Sequence, residues 1–287
     1  MSYILFAWLT SITYSVGAVV GKIATKHHIS NPWLYNVVFF VISVVCIIPF
    51  AIVGHVSLPQ DWVSMGWLSV ANAVSGALFM LAFYEVDLSI LSPLSSLRTP
   101  IAALVGAVIF RESLTLMQQI LIGIIFFAGL FVQMEERFSL KALWKKPTFL
   151  ALTWIVASVW FNSMIKEASL HNGFWEVSLW SNVGGMLLTF LTFPLFIRDL
   201  KKTPTSRYYG IALSTVLFTA GLLFSVKAFG QNVGISMAII SLPLAMIMTM
   251  ALSVFAPKLL EKHTWRVYVI RFVAAMVMFA AALGLSK

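Results

Sequence analysis

Apolar stretches of spanning length follow one another along the chain with little between them. Ten can be marked, at approximately 3–25, 32–53, 63–84, 89–110, 116–133, 148–169, 173–197, 208–229, 234–256 and 264–285. Each is close to the roughly 20 residues needed to cross about 30 Å of hydrocarbon as a helix. The longest polar connection, Gln133 to Pro147, is too short for a catalytic domain, and so is the next, Arg198 to Arg207. Trp33, Trp62, Trp144, Trp175 and Trp265 fall near segment ends, where an interfacial aromatic belt would place them. The first stretch lacks a basic leader and a cleavage signal and reads as a retained helix.

One segment breaks the apolar pattern. Ser92 to Thr115 reads SPLSSLRTPIAALVGAVIFRESLT. Ser92, Ser95, Ser96, Thr99, Ala103 and Gly106 share one helical face, and Arg98 stands near mid-span between Pro93 and Pro100. A lipid-facing helix gains nothing from such a stripe, whereas a helix that lines a cavity or packs closely does. A mid-membrane arginine costs about 2.5–3.5 kcal/mol on insertion scales, so an inward-facing functional charge is the default reading.

The chain also repeats itself. Trp8 and Trp154, Trp33 and Trp175, Pro49 and Pro194, Ala82-Phe83 and Ala228-Phe229, Pro100 and Pro243, and Glu112-x-x-Thr115 and Glu261-x-x-Thr264 recur in order, at an offset close to 146 residues. The expected fold is therefore an all-α integral membrane protein with ten transmembrane helices in two five-helix repeats. Residues 1–134 form the first, 135–147 a basic connecting loop and 148–287 the second. Five is odd, so the second copy must be inverted, the plan of many secondary transporters.

Composition agrees. Of 287 residues, 60% are hydrophobic and 10% charged, against about 25% charged in a soluble domain. The net charge of +9 then concerns headgroups and topology rather than nucleic acid. Thirteen of the nineteen Lys and Arg residues fall on the side opposite the N-terminus, and the positive-inside rule would make that side cytoplasmic, with both termini outside. Cys46 is the single cysteine, so no internal disulfide forms.

At DLSILSPLSSLRTP (87–100), FRESLTLMQQ (110–119) and LLEKHTWRVYV (259–269), and at Tyr14 eight residues before Lys22, the chain resembles the drug/metabolite transporter superfamily, in its EamA-type ten-helix branch. The resemblance covers nearly the whole length. It implies a central cavity lined by helices 1, 3, 4, 6, 8 and 9, and cytoplasmic termini, opposite to the charge count. The chain departs from the family pattern after its second helix, where GHVSLPQDW (54–62) carries no Lys or Arg.

Several of those helices carry polar or small stripes of their own. The residues singled out for substrate binding are Arg98, Tyr14, Asn72, Phe79, Ser95, Thr99, Trp160, Asn162 and Ser225. An amide in hydrocarbon must find partners, which favours Asn72 and Asn162, while serines and threonines in spans mostly bond their own backbone. Glu112 and Glu261 are expected to begin helices as structural caps, and Arg271 to snorkel. No carboxylate occupies the middle of a span, Glu176 being the nearest candidate, so facilitated diffusion or exchange is favoured over proton antiport. HExxH, GxSxG, GxGxxG and phosphate-loop patterns are absent from the sequence, which is read as no enzyme, with no cofactor and no metal. The expected partners are a small-molecule substrate and the bilayer of the cell (plasma or inner) membrane, with no nucleic acid and a homodimer left open. The function expected is secondary transport of a small metabolite, an amino acid or related organic anion, by alternating access. The alternatives are an exporter of cationic or amphipathic drugs and a non-transporting scaffold.

Overall fold

The computed structural model describes residues 2–27, 29–86, 88, 91, 94–111, 113–132, 146–255 and 265–285. Its regular elements are helical: α1 Tyr3–His27, α2 Pro32–Val53, α3 Trp62–Glu85, α4 Arg98–Val108, α5 Leu116–Val132, α6 Lys146–His171, α7 Phe174–Thr189, α8 Phe193–Lys202, α9 Tyr208–Phe229, α10 Val233–Ile240, α11 Leu244–Phe255 and α12 Trp265–Leu285. Among the described residues, six stretches are long and apolar enough to cross a membrane: Tyr3–Thr25, Pro32–Val53, Trp62–Glu85, Phe149–His171, Phe174–Lys202 and Thr205–Phe229. At the other four expected positions the described apolar helices are shorter: Arg98–Val108, Leu116–Ala128, Val233–Thr249 and Phe272–Ala281. Glu112, Glu261, Pro93, most of the 133–147 connection and the side chain of Arg271 lie outside the described residues.

Local chemistry sets the helix ends. Asn31 caps α2, its Oδ1 accepting from the backbone N–H of Trp33 and Leu34 at 2.9 and 3.3 Å, with Pro32 at the first helical position. Its Nδ2 donates to the Leu195 carbonyl and to Asp199, tying this end of α2 to α8. Asp61 caps α3 by accepting from Val63 and Ser64, and these hydrogen bonds, those of Ser64 foremost, hold its carboxyl below the usual range. At the start of α5 stands a reciprocal capping box. Thr115 N–H donates to Gln118 Oε1 at 3.0 Å and Gln118 N–H donates to Thr115 Oγ1 at 3.3 Å.

The prolines act as starts and stops. Pro100 stands in the first turn of α4, where a missing N–H leaves no helical bond unmade. Pro243 separates α10 from α11. The Ile239 carbonyl, which an N–H at position 243 would have served, accepts instead from Leu242 at 3.3 Å in a tightened turn.

α1 packs most extensively against α9, α3 against α6, and α5 against α12. α2 lies along α7, α4 along α10, α3 also touches α7, and α9 also touches α2. The chain directions follow from contacts. Thr10 Oγ1 donates to the Gly221 carbonyl at 3.3 Å and Ser214 Oγ to the Gly17 carbonyl at 2.8 Å, so α1 and α9 are antiparallel. Gly54 meets Trp175 while Phe40 meets Gly185, so α2 and α7 are antiparallel too. The outward faces keep large apolar side chains exposed, among them Val45, Ile52, Trp67, Val156, Leu191 and Met276. On a soluble protein a continuous face of this kind would be a liability; against lipid tails it is the expected surface.

Candidate functional site

A cavity of about 190 Å³ opens where α1, α2, α3, α6, α7 and α9 converge with the approach to α4 and the α10–α11 break. Arg98, Tyr14, Asn72, Phe79, Ser95 and Asn162 all line it, brought together from four different helices and one 3₁₀ turn.

Arg98 is the charged side chain among the described residues lining the cavity. It is the first residue of α4, directly after the 3₁₀ turn Ser95–Leu97. Its Nε donates to the Ser95 carbonyl at 3.0 Å, and its guanidinium carbon lies 5.1 Å from the centre of the Trp154 ring. One backbone acceptor and one ring face hold the planar group in place.

The wall beside Arg98 is aromatic. Phe79 packs on Trp154 at 5.1 Å and on Phe218 at 5.8 Å between ring centres. Phe218 reaches Phe39 at 5.7 Å and Tyr14 at 5.6 Å. The Tyr14 hydroxyl is 3.5 Å from Ser225 Oγ. No side chain fits at Gly221, because a Cβ there would lie 2.5 Å from the Tyr14 ring.

Amides and hydroxyls also line the cavity. Asn72 Nδ2 donates to the Ser181 carbonyl at 3.2 Å, and Asn182 Nδ2 to the Ser178 carbonyl at 2.9 Å. Ser43 and Thr219 bond to each other at 2.8 Å. Asn36, on α2, is 1% exposed, and both atoms of its amide lack a hydrogen-bond partner among the described residues.

Three of the singled-out residues do not reach the cavity lining. Trp160 is half-buried on another face of α6, and Trp154 of the same helix takes the place beside Arg98. Thr99, the second residue of α4, is enclosed at 0% exposure, and its hydroxyl is unpartnered among the described residues. Ser225 sits behind Tyr14 and donates to the Leu222 carbonyl at 2.8 Å. Conversely, Asn36, Phe39, Phe40 and Asn182 line the cavity from α2 and α7, helices that carried no expected site residue. Glu176 lies outside the lining. It accepts from Ser57 N–H at 3.0 Å and Ser57 Oγ at 2.7 Å, fastening α7 to the loop after α2.

Residues 1–134 match the model of the EamA-like transporter family, a branch of the drug/metabolite transporter superfamily. That family is one of membrane transporters, and the long apolar helices are those of a membrane protein. Among curated proteins none matches the sequence significantly. A solved crystal structure is similar over 100% of this chain and 96% of its own, with a TM-score of 0.71 and 14% identity. At that identity the likeness is one of fold.

Proposed function

We propose that the protein is a secondary carrier of a small organic anion, an amino acid or related metabolite, working by alternating access in the cell (plasma or inner) membrane. The observation that carries this reading is Arg98. A guanidinium faces a mid-molecule cavity in which no described lining residue bears a carboxylate. Such a group is costly to keep unless something anionic uses it, and its fork geometry suits a carboxylate or phosphate. The aromatic wall formed by Tyr14, Phe79 and Phe218 would receive an apolar portion of the cargo.

The packing supports two inverted five-helix repeats. Exchanging α1 with α6, α2 with α7, α3 with α9, α4 with α10 and α5 with α12 maps each major helix contact onto another or onto itself. The equivalent helices α2 and α7 are antiparallel, as inversion requires. In this reading the ten spans fall in residues 1–134 and 148–287, and the halves rock about the cavity. A cationic cargo is disfavoured because Arg98 already occupies the face of Trp154 that would attract it. A scaffold role leaves the cavity and its arginine unexplained.

The test is flux into proteoliposomes. Arg98→Ala, inserted at normal levels, loses most uptake of carboxylate substrates, and Arg98→Lys recovers part of it. Undiminished anion flux in Arg98→Ala sinks the assignment.

A further inference from the structure

The amide of Asn36 is the feature that the arginine-centred reading does not use. It lies in an otherwise apolar run of α2, YNVVFFVI (35–42), and is buried to 1% exposure. Neither Oδ1 nor Nδ2 has a partner among the described residues, yet the side chain lines the cavity. A buried amide left unsatisfied costs about 1–3 kcal/mol per group, so a cavity that retains one is built for something that answers it.

Its neighbours make it a pole rather than an isolated atom. Gly76 faces Asn36 across the cavity edge, with the position of a Cβ there 3.3 Å from Asn36 Oδ1 and 3.0 Å from the Phe40 ring. On the other side of Phe40, the Cβ position of Gly185 lies 3.3 Å from Asn72 Nδ2. The two amides thus flank one ring, for which the two glycines make room. α3 links this end to the other: Asn72, Gly76 and Phe79 recur at four and three residues along one face, and Phe79 packs on Trp154, which carries the guanidinium. The site has a cationic end, an aromatic flank and a neutral end that both donates and accepts.

We propose that Asn36, assisted by Asn72, binds a neutral donor–acceptor group of the cargo, so that the transported anion carries a carboxamide, hydroxyl or similar function as well as its acidic group. This rests on the carrier reading above. A simple aliphatic carboxylate satisfies Arg98 but leaves the Asn36 amide unanswered. Sites built to hydrogen-bond a substrate group discriminate strongly against analogues that lack it, far more than apolar pockets discriminate by size.

Succinamate and 4-methylpentanoate make a matched pair of probes. They share the carboxylate and chain length, and differ by a carboxamide in place of an isopropyl group. In proteoliposomes the wild-type protein takes up succinamate with at least about tenfold preference. Asn36→Leu, the same exchange made in the protein, brings the two rates to within about threefold by losing succinamate uptake, while 4-methylpentanoate uptake is retained or rises. Asn36→Ser, polar but shorter, lowers the preference and stands in if the leucine variant does not insert. Equal uptake of both probes by the wild type overturns the inference, and so does a preference unchanged in either variant, which would leave Asn36 a structural amide only. Arg98→Ala separates the two readings. If it abolishes uptake of both probes while Asn36→Leu alters nothing, the carrier reading stands and the Asn36 assignment falls. If Arg98→Ala leaves both undiminished, the arginine assignment fails, and if the wild type takes up neither probe, the carrier reading itself fails.

Discussion

The ammonium of Lys22, on α1, donates to the Phe83 carbonyl at 2.7 Å, near the C-terminus of α3. The same nitrogen donates to Val86 at 2.9 Å and lies 5.4 Å from the centre of the Phe83 ring. The last carbonyls of a helix have no intrahelical partner, and a cation is favoured at that negative end. Lys166, on α6, makes the corresponding bond to the Gln231 carbonyl just beyond α9, at 3.1 Å. Lys22→Met is expected to cost about 1.5–3 kcal/mol, the usual range for hydrogen bonds to a charged group, and Lys22→Arg less. Lys166→Met, which gives up a more exposed bond, costs less than Lys22→Met. Thermal unfolding in detergent gives the order, and an unchanged melting temperature for Lys22→Met would show the latch to be ornamental.

A methyl group at Gly221 has nowhere to go. Its Cβ would lie 2.5 and 2.6 Å from Tyr14 ring carbons and 2.7 Å from Thr13 Oγ1. Gly221→Ala should therefore destabilise by about 1–3 kcal/mol and displace Tyr14 from the cavity wall, lowering flux. Gly123→Ala meets nothing within 4 Å and serves as the control, with stability unchanged or raised by up to about 1 kcal/mol. Equal melting temperatures for the two variants would contradict the close approach of α1 and α9.

Trp154 and Trp160 separate cavity from packing on one helix. Trp154 holds the guanidinium on one side and Phe79 on another, whereas Trp160 faces away from the lining. Trp154→Leu is expected to reduce uptake at least about tenfold, since 1.4 kcal/mol of lost positioning already amounts to that factor. Trp160→Leu leaves uptake within about twofold of wild type. A reversal, with Trp160→Leu the more damaging, would mean that the wrong face of α6 has been assigned.

Glu176 bears on coupling. Its carboxylate is engaged by both the backbone and the hydroxyl of Ser57, away from the cavity lining. Glu176→Gln should leave initial transport rates and their dependence on an imposed pH gradient as they are in wild type, at a modest loss of stability. Uphill uptake driven by a pH gradient and abolished by Glu176→Gln would establish proton coupling through this residue.

Much of the site was legible because burying polarity in hydrocarbon is expensive. Arg98 and Asn72 stand out in any apolar run, and the structure places both on the cavity. The same argument applied to Asn36 would have found it, since it too is a lone amide in a spanning stretch. The resemblance points instead to helices 1, 3, 4, 6, 8 and 9, and Asn36 stands on the second. On α6 the residues Trp154, Ser158, Phe161 and Asn162 recur at helical spacing and all four line the cavity, while Trp160 beside them does not. Thr99 was misplaced by backbone geometry. A stripe drawn at 3.6 residues per turn across Ser95 and Thr99 ignores the three-residue turn between them, which changes the phase at Arg98. The caps were readable in principle: Thr115-x-x-Gln118 is a capping box in plain sequence, overshadowed by the acidic residue three places earlier.

The ring of Phe40 lies between Gly76 on α3 and Gly185 on α7, and neither neighbour offers a Cβ to interlock with it. A Cβ at Gly76 would come within 3.0 Å of that ring and one at Gly185 within 2.6 Å. The spacing of α2 from both α3 and α7 is therefore set by the bare backbone of two glycines against one phenyl group, and a methyl group at either position would wedge a helix pair apart.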